Sequence, residues 1–155
     1  MTKRICSILL VLVVMISCTS TKSTIKNIDD TAVKPAVKDN AFQIKQYADD
    51  DKYGFDQDYP INIGFIMESS EEKFIGYFFK GLQGPEGETL TYKKVESCCP
   101  FPTKNNKVGV GMLSIYEVRW PGVRKPLILY FNIYERGRIL CPKGLTIKNY
   151  AATKP

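Results

Sequence analysis

The sequence predicts an α+β domain, an antiparallel β-sheet with one main helix packed on a face, preceded by a signal peptide and a flexible tether. Three observations lead there. Phe74, Ile75, Phe78, Phe79 and Leu82 recur at helical offsets. Residues 108–120 and 127–134 alternate as strands and are joined by a short turn, the mark of an antiparallel hairpin. The order strand, helix, several strands separates the helix from the strands rather than alternating with them. A chain of 155 residues, 44% apolar and 25% charged, suits one domain and excludes collagen-like, coiled-coil and wholly disordered compositions.

The chain opens on Lys3 and Arg4, followed by an apolar run over 5–16 in which Ser7 is the only polar residue. At 1.5 Å per residue this run reaches ~18 Å, short of the ~30 Å core of a bilayer, and it reads as a secretory signal. It ends in Met15-Ile16-Ser17-Cys18, which resembles the lipobox of bacterial lipoproteins. The resemblance implies export, removal of residues 1–17 and a lipid on Cys18, making the membrane a partner through that anchor. Thr19 stands where an Asp commonly retains lipoproteins in the inner membrane, so the resemblance implies the outer membrane, facing the periplasm. Residues 18–40 are rich in Ser, Thr, Lys and Asp and hold no apolar period. They read as a flexible tether, with a short edge strand over 25–28 as the alternative.

The domain is expected over 41–150, with 151–155 as a tail. Residues 49–59 form an acidic loop with aromatic residues, and 60–66 a short strand with Ile61, Ile63 and Phe65 on one face. Ser69 with Glu72 three residues on predicts a capping box for a helix over about 70–82. Gly76 within it suggests close packing on the sheet, and Gly81 with Gly84-Pro85 ends it. Residues 90–95 read as a strand and 97–102 as a loop stiffened by Pro100 and Pro102. In the next strand Tyr116, Val118 and Trp120 point one way, Glu117 and Arg119 the other. After the 121–126 turn, Leu127, Leu129, Phe131 and Ile133 share a face. Gly137 turns the chain, and 138–141 adds an edge strand before Pro142.

The chain has no histidine, which removes Ser-His-Asp and Cys-His catalysis and every His-bearing zinc site. No catalytic residue, metal site or cofactor is assigned. With Cys18 lipidated and Cys6 removed, the remaining thiols are Cys98, Cys99 and Cys141, an odd number that cannot all pair within one chain. The expected arrangement is one disulfide from Cys141 to Cys98 or Cys99, with a strained Cys98–Cys99 bond as the alternative. Three thiolates with Met67 or Met112 would suit copper(I), though the spacing matches no metal signature. Asp49, Asp51 and Gly54 fit the first positions of a calcium loop, but Tyr53 and Pro60 occupy positions that need oxygen ligands. Gly84-Pro85-Glu86-Gly87 and Gly109-Val110-Gly111 lack the following Lys-Ser/Thr of a phosphate loop and read as punctuation. Basic residues crowd the C-terminal third from Arg119 to Lys154. Export argues against nucleic acid as their partner, and a solvated face or one toward anionic headgroups fits better.

Gly81-Leu-Gln-Gly-Pro-Glu-Gly, Ser97-Cys98-Cys99-Pro100-Phe101, Ile115-Tyr116-Glu117-Val118 and Leu129-Tyr130-Phe131-Asn132-Ile133-Tyr134 together resemble a group of small bacterial lipoproteins across residues 55–146. The resemblance implies no activity and supplies no catalytic residues. The functional expectation is a membrane-tethered, non-enzymatic binding or envelope-maintenance module, with an envelope protein as the partner class besides the membrane. The alternative is a thiol-dependent redox or soft-metal-handling lipoprotein using Cys98, Cys99 and Cys141.

Overall fold

In a computed structural model that describes residues 23–64 and 66–148, the chain first forms a hairpin of β1 (Val37–Lys38) and β2 (Ala41–Phe42). Asp39 and Asn40 turn it with φ of 52° and 58°, the left-handed pair that a two-residue hairpin turn requires. Next come β3 (Ile61–Asn62), helix α1 (Glu71–Lys80) and β4 (Leu82–Gln83). They are followed by β5 (Thr91–Pro102), β6 (Val110–Arg119), β7 (Leu127–Asn132) and β8 (Thr146–Ile147). The main sheet has the order β3-β7-β6-β5; β5, β6 and β7 are antiparallel neighbours and β3 joins β7 in parallel. The α+β architecture is as the patterning predicts. The signal segment, Cys6, Cys18, Phe65 and the 151–155 tail lie outside the described residues.

Helix α1 buries Ile75, Phe78 and Phe79 on one face of the sheet. Phe78 meets Phe131 edge-on at 5.2 Å between centroids, and Phe79 stacks on Tyr92 at 4.2 Å. Gly76 brings the helix close to β5, as expected: a Cβ there would lie 3.3 Å from the Tyr92 hydroxyl. The capping box does not form. Residues Glu68–Ser70 wind into a 3₁₀ turn in which Ser70 N donates to Met67 O, and Ser70 becomes the N-cap without a side-chain bond. Its ψ of −1° is already close to helical, not the extended geometry from which a capping hydroxyl reaches back. The helix also stops before Leu82. Gly81 closes it against Tyr77 O and Phe78 O, with no room for a Cβ, which would sit 2.5 Å from Phe42 O. Leu82 enters β4 and pairs with β8 instead.

Three further expectations change. The 97–102 segment is strand, not loop, because β5 is the outer strand and its register shifts between Lys94 and Glu96 and between Cys98 and Phe101. Prolines are tolerated at such edges and bulges, where no ladder partner awaits their missing N–H. Residues 138–141 form no strand. Leu140 N donates to the Tyr53 hydroxyl and Cys141 N to Gln46 O, leaving a single parallel bridge between Cys141 and Tyr47. The domain also begins well before residue 41. Ile25 is buried, Lys26 N donates to Asp58 O and Asp29 N to Arg136 O, so the segment from about residue 25 lies along the domain.

The sheet is therefore covered on both faces. The main core lies under α1, with Ile61, Ile63, Val118, Leu129 and Phe131 beneath Phe78 and Phe79. A smaller cluster of Ile25, Phe101 and Leu113 lies elsewhere on the sheet, flanked by Ile28, Cys99, Tyr130 and Tyr134. Tyr130 alternates with Leu129 and Phe131 along β7, which puts the small cluster on the opposite face. Phe78 is fully buried and Phe74 only partly so. Phe78→Ala is expected to cost ~3–5 kcal/mol in urea unfolding and Phe74→Ala clearly less; equal costs would mean that α1 is rotated on the sheet.

Candidate functional site

Cys98 and Cys99, both half-buried on β5, are bonded to each other across adjacent Cα atoms 3.7 Å apart. The bond falls at the register shift between Cys98 and Phe101, where Cys99 takes a φ of 57°, a left-handed conformation unusual for a residue with a Cβ. The expected bridge to Cys141 is therefore replaced by the adjacent bond. The fold gives the reason: Cys141 belongs to the main core under α1, whereas Cys99 flanks the small cluster on the other face.

Cys141 is the odd thiol. It is fully buried, lies 3.6 Å from Pro142 O, and burial pushes its pKa up to about 12. Buried and kept protonated, it offers no accessible thiolate at neutral pH. The three-thiolate copper site is not assembled, because two sulfurs are bonded to each other and the third faces a different core. Met67 and Met112 are exposed, and no cluster of three or more ionisable metal-ligating side chains occurs among the described residues.

The acidic loop turns its carboxylates to local structure. Asp50 Oδ1 accepts from Lys52 N and Asp56 Oδ1 from Asp58 N, Asp51 pairs with Lys143, and Asp58 pairs with Lys26 at 2.9 Å. Its aromatic member Tyr53 is buried, donating to Arg138 O and accepting from Leu140 N, each at 3.0 Å. Several basic residues of the C-terminal third likewise have partners. Arg119 pairs with Glu117 at 2.8 Å, Lys143 with Asp51, and Arg138 Nη2 donates to Gln46 Oε1.

Two buried carboxylates escaped the sequence reading. Glu71, in the first turn of α1, accepts from Lys94 Nζ at 2.9 and 3.0 Å and from the Tyr116 hydroxyl at 3.1 Å. It thereby joins the helix to β5 and β6. Burial, with Glu71 beside it, drives the Tyr116 phenol well above its ordinary range. Glu135, after β7, accepts from Thr103 Oγ1 at 2.5 Å and from Asn105 Nδ2 at 3.0 Å, tying it to the β5–β6 connection. No local spacing marks either group, since their partners lie 23 to 45 residues away along the chain.

Iodoacetamide applied to the native protein at pH 8 should leave Cys141 unmodified. Denaturant alone should expose it, while Cys98 and Cys99 should react only after reduction. Labelling of Cys141 in the native state would contradict its burial. Its folded pKa lies above the unfolded value of ~8.5, so this contribution to stability is full below that pH and is lost as pH rises toward 12. Cys141→Ala should flatten that part of the stability profile. No family model, curated protein or solved structure matches the chain.

Proposed function

We propose that the protein is a membrane-tethered, non-enzymatic binding module of the bacterial envelope, anchored by lipid on Cys18 and facing the periplasm from the outer membrane. The anchor rests on the sequence: a short apolar run ending in Ser17-Cys18 and followed by Thr19. On the folded part, the observation that supports binding rather than chemistry is where the buried ionisable groups spend their bonds. Glu71 is held by Lys94 and Tyr116, Glu135 by Thr103 and Asn105, and Cys141 is a neutral core thiol. A general acid or base needs a lone pair or proton free to reach a substrate. These groups instead hold helix to sheet and loop to loop.

One observation favours a second reading, a redox role for the adjacent cysteines. Their disulfide is half-exposed on the outer strand, within reach of a reductant. Two electrons and two protons would convert it to two thiols on neighbouring residues, and only that reduced state would offer sulfur to copper(I). Fully reduced Cys98 and Cys99 in the native envelope, with tight copper binding at neutral pH, would favour this reading over the first.

Mass spectrometry of the membrane fraction should find diacylglycerol on an N-terminal Cys18, and Cys18→Ser should abolish that modification. A soluble mature protein beginning at another residue would overturn the anchor. Crosslinking in whole cells should capture an envelope component.

A further inference from the structure

The Cys98–Cys99 disulfide sits inside a bulge of β5. Cys98 faces Leu113 and Phe101 faces Gly111, so β5 takes three steps where β6 takes two, and Cys99 and Pro100 together oppose Met112. Where the first residue of such a bulge is left-handed, glycine is the residue that usually fills it. Here Cys99 fills it, with a φ of 57° and a Cβ. Pro100 sharpens the conflict, because a proline biases the residue before it toward extended backbone. Local preference therefore opposes the bulge, and the bond between the two sulfurs is the covalent restraint that spans it.

The bulge decides where Phe101 points. With it, the Phe101 ring lies over Gly111, 2% exposed, in the cluster with Ile25 and Leu113 and edge-on to Tyr134 at 6.0 Å. Without it, the ladder running on from Cys98 and Leu113 would set Pro100 against Gly111 and Phe101 against Val110. A slip of one residue sends a side chain to the other face of the sheet, so Phe101 would leave the cluster. Ile25 belongs to that cluster, which thus helps to hold the N-terminal segment on the domain. Beyond Phe101 the chain is held separately, by Thr103 Oγ1 on Glu135.

We propose that the Cys98–Cys99 disulfide is a redox-operated lock on this bulge. Oxidised, it keeps Cys99 left-handed and Phe101 in the cluster; reduced, it lets Cys99 relax toward extended backbone and loosens the cluster around Ile25. The reductant is a dithiol. One of its thiolates attacks a sulfur of the pair, breaking the S–S bond and forming a mixed disulfide, and its second thiol displaces that bond. Two electrons and two protons pass to Cys98 and Cys99, which become thiols, and the reductant leaves as a disulfide. The proposal deepens the redox reading above and rests on the same bond.

The full chain in neutral detergent would be compared by amide hydrogen exchange before and after dithiothreitol, without denaturant. Amides over 97–103 and 23–29 should exchange about tenfold or more faster once reduced, as the left-handed residue loses its restraint, while those of β7 hold their rates. Cys98→Ala/Cys99→Ala should match the reduced protein and ignore dithiothreitol. Cys98→Ala/Cys99→Gly should exchange more slowly than the Ala pair, because glycine accepts the left-handed backbone without the bond. The reduced wild type carries the test if a variant fails to fold. Unchanged exchange on reduction, equal acceleration in β7, or a Gly variant no slower than the Ala pair would overturn the lock. Copper(I) bound by the reduced pair with unchanged exchange would sink this inference and leave the redox reading standing. Faster exchange with no copper bound would uphold the lock and remove only the copper branch of that reading. A bond that resists dithiothreitol in the folded chain would sink both.

Discussion

A ladder of three asparagines, two of them buried, holds the architecture in register. Asn132 Nδ2 donates to Asn62 Oδ1 at 2.8 Å, Asn62 Nδ2 donates to Asn27 Oδ1 at 2.9 Å, and Asn27 Nδ2 donates to Pro60 O at 2.8 Å. Asn132 Oδ1 also accepts from the backbone of Tyr134 and Glu135. Asn62 and Asn132 are almost wholly buried, so each amide depends on the next for its hydrogen bonds. The ladder pairs Asn62 with Asn132 in the parallel β3–β7 register and lays the N-terminal segment over the face opposite α1. Gly137 is part of the same constraint: a Cβ there would sit 2.8 Å from Asn62 Nδ2 and 2.9 Å from Asn27 O.

Once both faces of the sheet are covered, the positions of the other groups follow. The α1 face takes the aromatic core, and Glu71 at the start of the helix is brought to Lys94 and Tyr116 on neighbouring strands. The opposite face takes Ile25, Phe101 and Leu113, with Tyr134 beside them. Gly111 makes that cluster fit, since a Cβ would meet the Phe101 ring at 2.6 Å and Tyr134 at 2.8 Å. β5 remains as the outer strand, and its exposed edge carries features that discourage pairing with another chain: Lys93, Pro100, Pro102 and two register shifts.

The same two-faced construction decides the sulfur chemistry. A disulfide needs its Cα atoms within ~7 Å, and residues whose side chains feed different cores do not meet. Cys141 lies with the α1 core and Cys99 with the other cluster, so the partner left for Cys99 is its neighbour. Counting thiols in the sequence identified one that could not pair within the chain. It did not identify which.

Local pattern alone determined the apolar face of α1, the β6–β7 hairpin and the inward residues Tyr116, Val118, Leu129, Phe131 and Ile133. Each follows from a period of 3.6 or 2 that one segment carries within itself. The missing histidine is also a sequence fact. Tertiary structure decided the rest. Ser69 was a plausible cap until the preceding turn wound as 3₁₀, and residues 25–29 looked like tether because their partners, Asp58, Pro60, Asn62 and Arg136, lie more than thirty residues away. Glu71 with Lys94 and Tyr116 and Glu135 with Thr103 likewise join residues from separate segments. A hydrogen bond or charge pair between distant residues leaves no period in the sequence, so only the packed chain reveals it.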